Sequence, residues 1–373
     1  MKIQKDNLVV ALDHAKKFVA KNGCLPIIQK TLFDPENQRL VATDLETTAF
    51  IPLEMDDYSR EILDKTEKKQ FIEAFCVDPV DLLAMVKSTD EETIKISVEQ
   101  KEDENLFNTE SYRITVGKNF YSIYAGAKAE FPELTISKTE DVAEVEPVLL
   151  NSLLRATVKE EAGFKLDTVF FDGKKNRVVS TDGHRLHMVA IELAIDKEIV
   201  VPAEALRKAV CVAGNDKIHI AYNENYVKIE LATAFNELVI IGRISDSKFP
   251  DYEAVITEKL PIEVVVEKKA LQDACTQALI LTSDQYAGSR FTFGNGISVE
   301  MTNAEKGTYE KTNIPFTGKV DPEIVVGLNT RYVRDALHGI DDENVTIQMK
   351  DHASPFIFTA YGNFTALVMP MRV

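Results

Sequence analysis

The sequence predicts an α+β chain made of three repeats of one unit, each an antiparallel sheet whose apolar side is covered by two helices. Three observations lead there. A related corner occurs three times, as LVATDLETTAF from Leu40, RVVSTDGHRLHMV from Arg177 to Val189 and SVEMTNAEKGTYE from Ser298. In each, a β-rich run enters a short polar turn and leaves as a second β-rich run. The intervals are long: 138 residues separate Asp44 from Asp182, and 121 separate Asp182 from Asn303. Periods near 120 residues exceed those of solenoids and indicate repeated domains. Finally, KIHIAYNENYVKIEL at Lys217–Leu231 alternates as half-buried antiparallel strands do. Helices are too few for a doubly wound sheet, which needs one between nearly every pair of strands.

The first unit is expected at 1–138, the second at 139–259 and the third at 260–373. In NLVVALDHAKKFVAK, Leu8, Leu12, Ala15 and Val19 fall on one face, predicting a helix over 7–21 that Gly23 stops. A strand is expected near Leu32, then the first corner over 40–53. VDPVDLLAMVKS predicts a helix over 79–88, with Asp78 as cap and Pro79 in its first position. Thr93–Val98 alternates as a strand, Lys101–Ser111 is polar and loop-like, and Tyr112–Tyr124 returns to strand character before AEFPEL at Ala129–Leu134. The polar stretch 135–146 has the composition of a linker.

PVLLNSLLRATVKE opens the second unit as a helix over 147–160. Leu166–Phe171 is a strand, Asp172-Gly173 a turn, and the middle corner follows. PAEALRKAVCV is a helix over 202–212. A hairpin turns at Asn223-Glu224-Asn225, and the strand Glu237–Ile241 leads into SKFPDYEAVI at Ser247–Ile256, which echoes AEFPEL. The third unit brings the strand PIEVVVE, a helix over 268–281, a glycine-rich turn region near Gly288–Gly296, the third corner, a helix over 329–338 and two closing strands ending in LVMPMRV.

At 45% hydrophobic, with four scattered cysteines (Cys24, Cys76, Cys211, Cys275) and no CxxC pair, the chain suggests neither a disulfide framework nor a zinc knuckle, and a reducing cytoplasm is the expected home. The start MKIQKDNLVV lacks a signal-peptide core, and no 18-residue apolar run predicts a membrane span. The net charge of −17 argues by itself against nucleic acid. Its distribution reverses that argument, because the six predicted helices carry twelve basic and six acidic residues. Basic helices in an acidic chain give one positive surface suited to a polyanion, although lysine and arginine near helix C-termini also arise for purely local reasons. Scattered single charges imply contact with a phosphate backbone, without base readout.

Four stretches, TDLE at Thr43–Glu46, TDGHRL at Thr181–Leu186, FPDY at Phe249–Tyr252 and VMPMR at Val368–Arg372, together resemble the bacterial DNA polymerase III beta subunit, or sliding clamp, family over the whole chain. The resemblance implies three DNA-clamp domains with helices inside and sheets outside, closed by a head-to-tail homodimer into a ring around double-stranded DNA. It implies no cofactor, no metal and no catalysis. DNA would face Lys16, Lys21, Lys87, Arg155, Lys159, Arg207, Lys208, Lys268, Arg331 and Arg334. A peptide pocket would use Leu166, Thr181, Gly183, His184, Arg185, Leu186, Pro250, Val255, Tyr286, Asn329, Tyr332, Met369, Pro370 and Met371. Peptides bearing a glutamine and leucine or phenylalanine anchors would insert there, with His184 and Arg185 holding carbonyls or an acidic end. Implied partners are the DNA polymerase III alpha subunit, the clamp loader delta subunit, and translesion and repair proteins, at the nucleoid or replisome. Ring closure would set Tyr121 and Ile123 against Ile280 and Leu281. The stretch Lys21–Pro26 is shorter than the family's glycine-rich loop and lacks its arginine, while Ala254 and Tyr286 replace a basic residue and a phenylalanine.

Rival readings are weaker. Ser180, Asp182 and His184 crowd into one corner without a GxSxG elbow, and neither HExxH nor a P-loop is present. A scaffold of three repeated domains that binds only proteins is the remaining alternative.

Overall fold

The computed structural model describes residues 2–21, 25–55, 74–96, 100–101, 111–116, 119–124, 126–127, 130–158, 166–233, 236–256, 260–283, 287–360 and 362–372. Three sheet-rich sub-domains follow one another, each with a pair of helices: α1 (Lys5–Ala15) and α2 (Pro79–Lys87), α3 (Pro147–Leu154) and α4 (Ala203–Ala213), then α5 (Lys268–Leu279) and α6 (Thr330–His338). The expected helices are all present, but α1 and α3 stop about a turn or more early. Lys16 and Arg155 cap them while still helical, and Thr157 Oγ1 then donates to Leu154 O. Asp78 caps α2 as expected, accepting from the Val80 and Asp81 amides. Gly23 lies outside the described residues.

Two compact units organise the chain: Met1–Glu144 with Lys208–Arg243, and Val145–Arg207 with Ile244–Val373. The first holds a nine-stranded antiparallel sheet. Within it, strand Thr47–Pro52 pairs with Glu237–Arg243, so that the first sub-domain's sheet continues into strands of the middle one. The second unit repeats this arrangement, with Arg185–Ala190 pairing against Phe364–Val368. Both sheets end at outer strands, Glu140–Val145 and Glu198–Pro202. The first of these corrects the linker expected over 135–146: Val142 and Val145 are buried although the residues around them are acidic. Likewise Gly288–Phe293 is a strand, with the turn confined to 294–296. Tyr112–Tyr124 resolves into two paired strands, Ser111–Val116 and Asn119–Tyr124.

All three corners share one construction. Asp44 Oδ1 accepts from the amides of Glu46 and Thr47, Asp182 Oδ1 from those of His184 and Arg185, and Asn303 Oδ1 from those of Glu305 and Lys306. A short acceptor side chain thus closes the turn two and three residues onward, the local chemistry that favours Asp and Asn at such positions. In the first two copies the preceding threonine, Thr43 or Thr181, donates across the turn to the carbonyl of Thr47 or Arg185. Gly183 adopts φ +87°, where a side chain is strained; Leu45 holds the matching place at φ +75°. The cores repeat as well. Leu32, Val41 and Phe131 cluster in the first unit as Phe170, Val179 and Phe249 do in the second.

Candidate peptide-binding site and basic surface

In the middle copy the corner binds into the chain's C-terminal segment. Met369 N donates to His184 O at 2.9 Å, and Met371 N to Gly327 O at 2.8 Å. Strand Arg185–Ala190 lies beside Phe364–Val368 with Leu186 opposite Leu367. Leu186, Leu367, Ile357, Tyr252 and Met188 form a buried cluster, and Met369, Phe249 and Ile256 pack against it half-buried. Phe249 stacks on Phe170 at 4.8 Å between ring centroids, and Tyr252 donates to Asp172 Oδ2 at 2.7 Å. These contacts fix the FPDY segment on the sheet, so that Pro250 stays half-buried and Val255 is 40% exposed. Burial and the bond to Asp172 raise the Tyr252 phenol above its ordinary pKa, keeping it a donor. Met369 is thus half-buried against the cluster that holds Leu186, while Pro250 and Val255 keep partly exposed side chains on the segment after Phe249.

Arg185 has a different place from the one expected of a ligand-holding cation. It is 9% exposed and its guanidinium is fully engaged inside the protein. Nε donates to Asp182 Oδ2 at 2.9 Å, Nη1 to Asp335 Oδ2 at 2.7 Å and Nη2 to the carbonyl of Arg155. Its carbon lies 4.2 Å from the centroid of the Tyr332 ring. Arg185 thus supports the ring of Tyr332 and joins the corner to α6. His184 is exposed, and Asn329 uses its side chain to cap α6 through the Arg331 amide.

Asp335 is the hub beneath, and sequence reasoning assigned it no role. Arg155 Nη1 and Arg334 Nη2 approach its Oδ1 at 3.2 and 3.3 Å while Arg185 holds Oδ2. Burial alone would raise its pKa; the bond and charge of Arg185, with the charges of Arg334 and Arg155, outweigh this and hold the carboxyl below its usual range. No local pattern signals a partner 150 residues away. Nearby, His187 is completely buried: Nδ1 meets Ser152 O at 2.6 Å, Nε2 has no hydrogen-bond partner among the described residues, and the Phe364 ring stands edge-on at 5.3 Å. Burial lowers its pKa to about 4, so it is neutral, and facing a carbonyl its Nδ1 must carry the proton.

The remaining pocket candidates divide. Leu166 is buried and accepts from Val158 N, Thr181 is buried in the corner, and Met371 and Pro370 are half-buried. Tyr286 lies outside the described residues.

The basic residues are not equivalent. Lys208 is a correction: it is buried, its Nζ 2.5 Å from Asp44 Oδ2 and 2.6 Å from Thr47 Oγ1, and so is unavailable to a phosphate. Burial would raise the Asp44 pKa, but Lys208 and the Thr47 amide lower it on balance. Arg207 is tied to Asp167 at 2.6 Å and Lys268 donates to Ile340 O. Lys16 pairs with Asp13 at the surface, Arg331 Nη2 donates to Ser283 O, and Arg155 and Arg334 share Asp335. Lys21 and Lys87 are exposed; Lys159 lies outside the described residues. Of the contact residues expected at the dimer seam, Ile280 is 73% exposed, Leu281 and Tyr121 are half-buried, and the side chain of Ile123 lies outside the description.

Cys76 and Cys275 are buried free thiols, which burial pushes up to about 12. Among the described residues no helix is long and apolar enough to cross a membrane, and no group of three or more His, Cys, Asp or Glu is placed to hold a metal ion.

Comparison with known proteins adds three findings. The family model described as DNA polymerase III beta subunit, C-terminal domain, matches residues 253–372. Beta sliding clamps of Pseudomonas putida and Vibrio cholerae are 23% and 22% identical, each alignment covering 100% of this chain and 99% of the relative. Among solved structures, a sliding clamp of Bartonella birtlesii bound to griselimycin superposes with a TM-score of 0.82 at 20% identity, and one of Pseudomonas aeruginosa with 0.80 at 22%, again over 100% of this chain and 99% of the other. The chain is thus similar to beta sliding clamps along its length and shares their fold, and its residues 253–372 match the C-terminal domain of the DNA polymerase III beta subunit family.

Proposed function

We propose that the protein is a DNA sliding clamp: two copies close head to tail around duplex DNA and tether the replicative polymerase for processive synthesis. The observation that carries this reading is the likeness to sliding clamps, which covers 100% of this chain and 99% of the relatives. The boundaries proposed for the three clamp domains remain 1–138, 139–259 and 260–373. Closure uses the outer strands of the terminal sub-domains. Asn119–Tyr124 ends the small sheet of the first, and Gly307–Ile314 ends the four-stranded sheet of the third. Outer strands carry unpaired backbone groups that a second copy satisfies, and the exposed Ile280, at the end of the helix α5 that packs on Gly307–Ile314, supplies apolar area. DNA contact rests on exposed and half-exposed cations such as Lys16, Lys21, Lys87 and Arg331. A sparse contact suits a ring that must move: retention comes from topology, and tight phosphate binding would oppose sliding.

The apolar patch beside the middle corner receives the partner peptides. Leu186, Val255 and Met369 provide adaptable apolar contacts, Tyr332 one wall, and His184 a polar group at the edge; Arg185 orders this site from below. Partners are the polymerase alpha subunit, the clamp loader delta subunit and translesion and repair proteins, at the replisome in the cytoplasm. Sedimentation with small-angle scattering tests the assembly. The expected particle has twice the chain mass of 41.8 kDa and a central hole wide enough for duplex DNA; a monomer or a solid dimer at micromolar concentration overturns it.

A further inference from the structure

The first unit contains a cleft of about 140 Å³ at the first corner, lined by the turn, the end of strand Glu237–Arg243 and Pro132–Leu134. Its position is that of the candidate peptide site one repeat earlier. Thr48 stands opposite Ile241 in the sheet as Leu186 stands opposite Leu367, and Arg243 follows as Met369 does. Pro132, after Phe131, matches Pro250, after Phe249. The repeat has thus kept the frame while the lining changed. Ile241 and Thr48 form a buried floor, and the Thr43 and Thr48 hydroxyls are engaged with one another at 2.9 Å. Leu45 is 56% exposed in the left-handed conformation that glycine occupies in the middle copy. Among the described residues, the exposed Glu46, Glu133 and Arg243 at the rim form no ion pair.

We propose that this cleft is a second binding site, for an extended peptide that inserts one aliphatic side chain beside a lysine or arginine. The volume matches one such side chain, since a cavity of roughly 150 Å³ holds benzene. Two carboxylates against one guanidinium at the rim select a basic flank. The inference rests on reading the related Leu186–Met369 site as a peptide pocket, from which it differs in replacing His184 and Met369 by Glu46 and Arg243.

The test uses the full-length protein and the peptide acetyl-Ala-Lys-Leu-Lys-Ala-amide, titrated by calorimetry and, with photo-leucine at its centre, crosslinked and mapped by mass spectrometry. The expected crosslinks fall in 43–48 and 132–134. Glu46→Lys with Glu133→Lys, both on exposed side chains, weakens binding at least tenfold, whereas Leu186→Ala with Met369→Ala leaves it unchanged. Absence of binding at millimolar peptide, crosslinks scattered over the acidic surface, or loss of binding in the Leu186/Met369 variant overturns the proposal. A control peptide containing glutamine and ending in leucine and phenylalanine separates the two readings. Its failure to bind removes the Leu186–Met369 assignment, while failure of the basic peptide alone removes only the second site.

Discussion

Replacing Asp335 by asparagine keeps the shape of the hub and removes its charge. The carboxylate is 10% exposed at its side chain and faces Arg185, itself 9% exposed, while Arg155 and Arg334 are each 32% exposed. Breaking a buried pair by removing one partner typically costs 3–5 kcal/mol. Here Arg185 retains Asp182 and the Arg155 carbonyl, and the two partly exposed arginines regain water, which discounts their share. The net loss expected is about 2–3 kcal/mol, chiefly local to the corner and α6. A chain of several sub-domains does not unfold in one step, so hydrogen exchange over residues 181–190 is the suitable assay. Protection there should fall by roughly 30- to 150-fold, and affinity for the glutamine peptide should fall with it as Tyr332 loses its support. The pH dependence has a fixed sign. The folded pKa of Asp335 is depressed, so its stabilisation is present above the ordinary carboxylate pKa of about 3.9 and disappears as pH falls through the folded value. Wild type and variant should therefore converge in acid. Protection unchanged within a factor of two at pH 7, with peptide affinity intact, would refute the hub.

Three further outcomes follow from the same geometry. His187 stays neutral in the fold with a pKa near 4 but takes a proton near 6.5 when unfolded; its contribution is complete above the latter value, and about 2 kcal/mol is lost between pH 7 and 5. His187→Gln should flatten that part of the profile in exchange measurements across this range. Lys208→Met should destabilise the first corner by about 1–2 kcal/mol yet leave retention on DNA within twofold, whereas Lys87→Ala should lower it and reduce its salt dependence; equal DNA effects would contradict the burial of Lys208. Gly183→Ala forces a side chain to φ +87° and should cost about 1–2 kcal/mol, read as a lower urea midpoint for the second unit.

The repeat was legible because its signal is local. Asp or Asn two and three residues before the amides it must accept from is a pattern of adjacent positions, and Asp44, Asp182 and Asn303 all carry it. The helices were visible from apolar spacing for the same reason. Strand Glu140–Val145 was not, because an outer strand needs only two inward residues and its remaining positions are acidic. Nor could sequence separate Lys208 from Lys87. Both are helical lysines, and only the approach of Asp44 from 164 positions away buries the first. Arg185 posed a similar difficulty: TDGHRL marked it as important, but its work is internal, set by Asp335 and Tyr332 on a helix distant in sequence. Continuous sheets joining neighbouring sub-domains also depend on pairings, Thr48 with Ile241 and Leu186 with Leu367, that local patterning does not encode.

The central claim is that the protein holds DNA by enclosing it, and topology tests that most directly. The ring is loaded on a nicked circular duplex, excess protein is removed by gel filtration, and the circle is then cut once by a restriction enzyme. Enclosure predicts that the protein co-elutes with the circle at salt concentrations that abolish ordinary phosphate contacts and is released when the duplex gains ends. Retention unchanged after linearisation, or loss from the intact circle at the same salt, would contradict it.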